Sequence, residues 1–139
     1  MRRTDLPVAL RPAPDPDEAS RPFFEAARLG RLVYQRCQRC DAAQLGRMLC
    51  QQCFGSELEW FEASGQATVH SFVAIHLTYH PAFESESAYV AAIVELDEGP
   101  RLPVYVAVAP GHARPVVGDV VRVEFECGEN DIFLPIVRR

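Results

Sequence analysis

The sequence predicts a mainly β fold: an N-terminal helical segment, then a small cysteine-rich ribbon, then a compact five-stranded barrel. Three observations predict it. Two Cys-x-x-Cys pairs lie close together, at Cys37/Cys40 and Cys50/Cys53. From Gly65 onward apolar and polar residues alternate with the period of a strand. Turn-forming clusters of Gly, Pro, Asn and Asp divide that half into short runs. The expected organisation is an arm and short helix over residues 1–33, a ribbon over 34–62 and a barrel over 63–139.

The arm comes first. Pro7, Pro12, Pro14 and Pro16 lack a donor N–H and restrict the residues before them, so this stretch should be extended. A short helix opens at Ser20-Arg21-Pro22, with Ser20 or Arg21 as its cap and Pro22 in its first turn. Phe23, Phe24, Ala27 and Leu29 are its apolar positions, and Gly30 ends it. So short a helix must dock on something to persist. A strand from Leu32 leads into the first cysteine pair, and Glu59-Trp60-Phe61-Glu62 leads out of the second. Trp60 is expected to pack where ribbon meets barrel.

The barrel strands follow. Gln66–Tyr79 alternates, with Val69, Ser71, Val73, Ile75 and Leu77 on one side and His70, Phe72, Ala74 and His76 on the other. That run is long for one strand, so a bend or bulge is expected within it. His80–Ser87 reads as a polar loop. Ala88–Asp97 is apolar on both faces and therefore central. Asp97-Glu98-Gly99-Pro100 is a turn. In Arg101–Val108, Leu102, Val104, Val106 and Val108 share a face, and Pro103 signals an edge or a bulge. Val120–Cys127 places Val121, Val123, Phe125 and Cys127 inward, and Ile132–Val137 carries a second edge signal, Pro135. Five strands in so short a stretch fit an OB-type barrel, with an SH3-like barrel as the structural rival.

The four paired cysteines carry the chemistry. Each Cys-x-x-Cys forms a knuckle that presents two sulfurs to one side, and two facing knuckles complete a tetrahedron. Four soft thiolates suit zinc. The ligands are therefore Cys37, Cys40, Cys50 and Cys53, and Gly55 is expected to give the second knuckle its backbone freedom. All four positions being taken, the ion has no place for water or substrate and is structural. A module this small cannot bury enough apolar area to fold alone. Metal binding worth roughly 10–16 kcal/mol supplies the difference. Cys127, on the apolar face of its strand, reads as a buried, inert thiol.

Composition bounds the rest. All 14 basic residues are arginine, and the formal net charge is −5. A nonspecific nucleic-acid binder needs surplus cations, so this balance counts against one. The longest apolar-rich stretch, Ala88–Leu96, contains Glu95 and is too short to span a bilayer, and the N-terminus lacks the apolar core of a signal peptide. A cytoplasmic protein without membrane contact is expected. His70, His76, His80 and His112 are not spaced as a metal site, and no grouping supplies a nucleophile, a base and oxyanion donors together.

Taken together, several segments resemble a known family. They are Phe23-Phe24-Glu25 with Gly30-Arg31-Leu32, the cysteine pairs ending in Cys53-Phe54-Gly55, Leu58-Glu59-Trp60, Thr68-Val69-His70-Ser71-Phe72, Tyr89-Val90 to Leu96-Asp97-Glu98-Gly99, and Gly118-Asp119-Val120-Val121. From about Pro22 to Val137 the chain is similar to the zinc-ribbon/OB-fold proteins associated with acyl-CoA enzymes. That resemblance implies a rubredoxin-like zinc ribbon followed by an OB barrel. It implies a non-catalytic accessory subunit of a thiolase-like enzyme, a thiolase-like aldolase or a MaoC-like hydratase. Lipid and steroid side-chain metabolism are the typical settings, in hetero-oligomers that in some cases contact the acyl-CoA. The third barrel strand departs from the family, since Arg101–Val106 holds no small polar residue. A nucleic-acid-binding module is the alternative, with His70, Phe72, Tyr79, Tyr89 and Tyr105 as stacking candidates.

Overall fold

The computed structural model describes residues 11–76, 89–109 and 111–138. The start of the arm with Pro7, and the loop with Tyr79, His80 and Pro81, lie outside the described residues.

The helix α1 spans Arg21–Arg28. Ser20 stands at its N-cap but makes no side-chain bond to the helix. It is tied instead to Asp17, which accepts from both the Ser20 N–H and its hydroxyl at 2.8 Å. At the other end Gly30 takes φ 75°, and the Arg31 N–H reaches back to the Ala26 carbonyl at 3.0 Å. This is the glycine-terminated stop that the sequence predicts. Phe23 and Ala27 are buried, and Phe23 meets Phe125 of the barrel edge-on at 6.1 Å. Leu29, expected on the apolar face, is 75% exposed because it lies past the last helical turn.

The ribbon is a three-stranded antiparallel sheet in the order β2–β1–β3, with β1 Val33–Cys37, β2 Ala43–Gln44 and β3 Leu58–Glu62. Its base is not separate from the barrel. Leu32, Val33 and Tyr34 belong to the same buried cluster as Val69, Val94, Leu102 and Val123. Trp60 packs on the rim of that cluster and covers Gly46, where a Cβ would lie 2.6 Å from the Ala19 carbonyl and 2.9 Å from the indole. Only glycine lets the ribbon's hairpin loop close on the start of the helix.

The second sheet holds β4 Gln66–Ile75, β5 Tyr89–Leu96, β6 Arg101–Ala107, β7 Val120–Arg122, β8 Glu124–Cys127 and β9 Phe133–Arg138. Their order is β7–β4–β5–β6–β9–β8. The two edge strands are halves of one run, interrupted at Val123, whose N–H bonds to the Gly65 carbonyl at 2.8 Å. The predicted single strand Val120–Cys127 is therefore bent, one half pairing with β4 and the other with β9. That bend curls the sheet into the expected five-stranded, OB-like barrel. The pairing of β6 with β9 is parallel and all others in this sheet are antiparallel.

The bulge expected in the first barrel strand falls between Val69 and Ser71. Its consequence corrects the expected faces. One extra residue reverses the alternation, because side chains have a period of two. Ala67 and Val69 point inward before the bulge and Phe72 packs on the core after it, while Val73 is 57% exposed. Phe72 is thus half-buried against the core. β5 is central, and its Val90, Ala92, Val94 and Leu96 are buried. Pro103 and Pro135 lie on strands with neighbours on both sides, yet the β6–β9 pairing begins only at Tyr105 and Ile136. Each proline thus stands where no partner on that side needs its N–H.

Candidate metal centre

The four predicted sulfurs converge. Those of Cys37, Cys40, Cys50 and Cys53 all lie within 4.8 Å of one another. The separations are 3.6 Å for Cys37–Cys53 and 3.5 Å for Cys40–Cys50. Zinc–thiolate bonds of about 2.3 Å in a tetrahedron set sulfurs about 3.8 Å apart, so the quartet is already near the size of its ion. Among the described residues no other group of His, Cys, Asp or Glu side chains is placed to hold a metal. His70, His76 and His112 are exposed, and Cys127 is half-buried rather than buried.

The two knuckles repeat one geometry. In the first, the Asp41 N–H bonds to the Cys37 carbonyl at 2.9 Å and the Cys37 N–H to the Ala42 carbonyl at 2.9 Å. In the second, the Phe54 N–H bonds to the Cys50 carbonyl at 3.0 Å and the Cys50 N–H to the Gly55 carbonyl at 2.8 Å. In each, the N–H two residues after the leading cysteine points at its sulfur, from Arg39 to Cys37 and from Gln52 to Cys50, both at 3.4 Å. Such donors favour thiolate over thiol.

The residue after each closing cysteine takes the left-handed conformation, with φ 65° at Asp41 and 60° at Phe54. Asp tolerates this region, whereas a bulky residue there is strained. Gly55, predicted to supply the freedom, does not hold the positive φ. Its value is spatial, since a Cβ would sit 3.3 Å from the Cys53 sulfur.

Without metal, Cys40 and Cys50 share a proton unequally. The Cys53 N–H, helped by that of Gln52, pulls the Cys50 thiol down to about 6 against the cost of burial. The Ala42 N–H favours the Cys40 thiolate, but the hydrogen bond to Cys50 and burial outweigh it and push Cys40 up to about 12.

A buried amide pair, not singled out by sequence, shapes the loop between the knuckles. Gln35 and Gln44 are 4% and 2% exposed. Gln44 donates to the Gln35 side chain at 3.0 Å and the Leu49 carbonyl at 3.2 Å, and accepts from the Gln51 N–H at 2.9 Å. Gln35 donates to the Arg47 carbonyl at 3.1 Å and accepts from its N–H at 2.9 Å. Polar residues at alternating strand positions look solvent-facing in a sequence. Only the loop folding back over them reveals the role. Replacing Gln44 by Leu strands the Gln51 N–H and the Leu49 carbonyl, at about 1–3 kcal/mol for each group left buried. A urea melt should show the loss, and a chelator should strip zinc faster from the variant.

Two family profiles match this chain. The rubredoxin-like zinc ribbon domain of ChsH2 matches residues 24–59, and the C-terminal OB-fold domain of ChsH2 matches residues 60–126. A chain of the solved Ltp2–ChsH2(DUF35) aldolase shares 33% identity, with 91% of this chain and 98% of that chain covered at a TM-score of 0.77. A DUF35-family protein of unknown function from Sulfolobus solfataricus shares the fold at 17% identity, with 88% and 83% covered and a TM-score of 0.62. A curated relative from Thermomonospora curvata, named a probable enoyl-CoA hydratase alpha subunit, is 36% identical over 135 residues. The match takes in 95% of this chain and 41% of that protein, so the chain spans about two fifths of the relative's length.

Proposed function

Because this chain belongs to the ChsH2-type family of zinc-ribbon plus OB-fold proteins, we propose that it is a non-catalytic accessory subunit of a thiolase-like or hydratase-type enzyme acting on acyl-CoA thioesters. The observation that carries this reading is the near end-to-end match to a chain of an aldolase assembly. The relative named as a hydratase subunit points to the same enzyme class, and the match takes in 41% of its length. In this reading Cys37, Cys40, Cys50 and Cys53 hold one structural zinc. With four thiolates at the corners the ion fixes shape and offers no open position for chemistry. The reacting groups then come from the partner, and the working form is a hetero-oligomer in the cytoplasm. No helix among the described residues is long and apolar enough to cross a membrane.

An affinity-tagged chain, expressed at native level in its source cell, should co-elute with a thiolase-like, aldolase or hydratase subunit in a fixed ratio. Elution as a lone monomer from that extract overturns the proposal. Retention of single-stranded oligonucleotide that fades with added salt would favour a nucleic-acid module instead.

A further inference from the structure

The barrel carries a groove that the metal centre does not explain. β6 and β9 pair only from Tyr105 and Ile136 onward. Before that point the strands part, and a mostly apolar groove of about 290 Å³ opens among Tyr89, Ala91, Pro103, Tyr105, Leu134 and Pro135. Arg11 and Pro12 of the arm line it too.

Arg11 is seated by both its side chain and its backbone. Its guanidinium lies 3.5 Å over the centre of the Tyr105 ring. The same group pairs with the Glu126 carboxylate at the groove's rim. The Arg11 carbonyl accepts the Glu129 N–H at 3.0 Å. Beside it Gly128 leaves a cradle, since a Cβ there would come within 3.0 Å of that carbonyl and 2.8 Å of Leu134. Pro12 follows at the groove's edge, exposed and with no N–H to satisfy. Aromatic and proline-lined grooves with an acid at the rim suit extended, proline-containing segments whose preset backbone loses little entropy on docking. A cation over a tyrosine face adds electrostatic attraction.

We propose that this groove is a peptide-recognition site for an extended segment in which arginine is followed by proline, and that Arg11–Pro12 is its resident, releasable occupant. A partner presenting such a segment takes the groove and frees the arm. A tethered segment competes at an effective concentration on the order of millimolar, so the intact chain should resist weak peptides added from outside.

The test uses a fluorescent peptide of residues 9–16 and the full-length chain. The Arg11→Ala chain, its own occupant disabled, should bind the peptide at least tenfold tighter than the intact chain. Adding Glu126→Gln to that variant should weaken binding at least fivefold, and a peptide with alanine in place of the arginine should not bind. Equal binding to both chains, no binding to either, or equal binding of the arginine-free peptide overturns the proposal. If Arg11→Ala does not fold, a fluorine-labelled peptide with the intact chain decides. At millimolar concentration its resonance should broaden when the chain is added while that of the arginine-free peptide stays sharp, and equal behaviour of the two peptides overturns the proposal.

Discussion

Replacing Cys50 by Ser is expected to remove the metal and unfold the ribbon. Packing alone leaves this module short of apolar burial: Met48, Leu49, Phe54 and Phe61 are all exposed, and the ribbon's buried apolar side chains are few. It also carries a strained left-handed Phe54, at a cost of order 1–3 kcal/mol. Against this, a structural zinc contributes roughly 10–16 kcal/mol at neutral pH, as much as the whole stability of an ordinary domain, about 5–15 kcal/mol. Cys50, like Cys37, is 1% exposed and holds an N–H on its sulfur, so its loss removes a buried ligand. Elemental analysis of the unaltered chain should give one zinc per molecule, and of Cys50→Ser none, with loss of ordered amide signals from β1 to β3. Acid should act in the same direction. Zinc binds thiolate and not thiol, so protons compete with the ion for all four sulfurs as pH falls. Zinc loading, followed with a colorimetric chelator, should therefore be strong at pH 7.5 and weak at pH 5. A folded protein without stoichiometric zinc, its four ribbon thiols open to alkylation, would sink the assignment.

The legible parts of this molecule were those written in local chemistry. Two Cys-x-x-Cys pairs can be read because thiolate coordination needs those residues at that spacing, and the quartet duly converges. The helix stop at Gly30 and the turn at Gly99 can be read because each requires a backbone that other residues resist. Central strands announce themselves by apolar residues on both faces, as β5 does.

What escaped the sequence depends on partners far along the chain. The bulge at His70 was expected, but its position was not. A single extra residue exchanged the fates of Phe72 and Val73. The bend at Val123 leaves the alternation intact, since Val121 and Val123 are both buried, and shows only in which strands each half pairs with. Gln35 and Gln44 carry no signature of burial, because the groups that satisfy them are main-chain atoms of residues 47, 49 and 51. Asp41 and Phe54 occupy left-handed positions usually given to glycine, and the hydrogen bonds of the knuckles impose this against local preference.

Leu96→Ala is expected to be the most damaging single change in the barrel, and it should spare the metal. Leu96 is 2% exposed and among the largest fully buried side chains. It pairs with Ala67 across β4 and β5, and its backbone closes the hairpin turn through bonds of 2.8 Å to Pro100 and Gly99. Truncation should cost about 2–5 kcal/mol, the range for a leucine whose cavity cannot collapse. The melting midpoint should fall by on the order of 10 °C. The ligands are held by N–H···S bonds and the glutamine pair, and Leu96 is a partner in none of those bonds, so zinc should remain at one per chain below the melt. A scan read by tryptophan fluorescence for the ribbon and by amide exchange for the barrel then separates two possibilities. Leu32, Val33 and Tyr34 share a core with Val94 and Leu96, so packing couples the two modules. If that coupling dominates, Leu96→Ala lowers both signals together while metal stays bound until the melt. If the zinc clamp dominates, the barrel melts first and Trp60 reports an intact ribbon above that temperature. Zinc released at room temperature by a substitution this far from the sulfurs would contradict both, and would place the metal's stability in the barrel rather than in the knuckles.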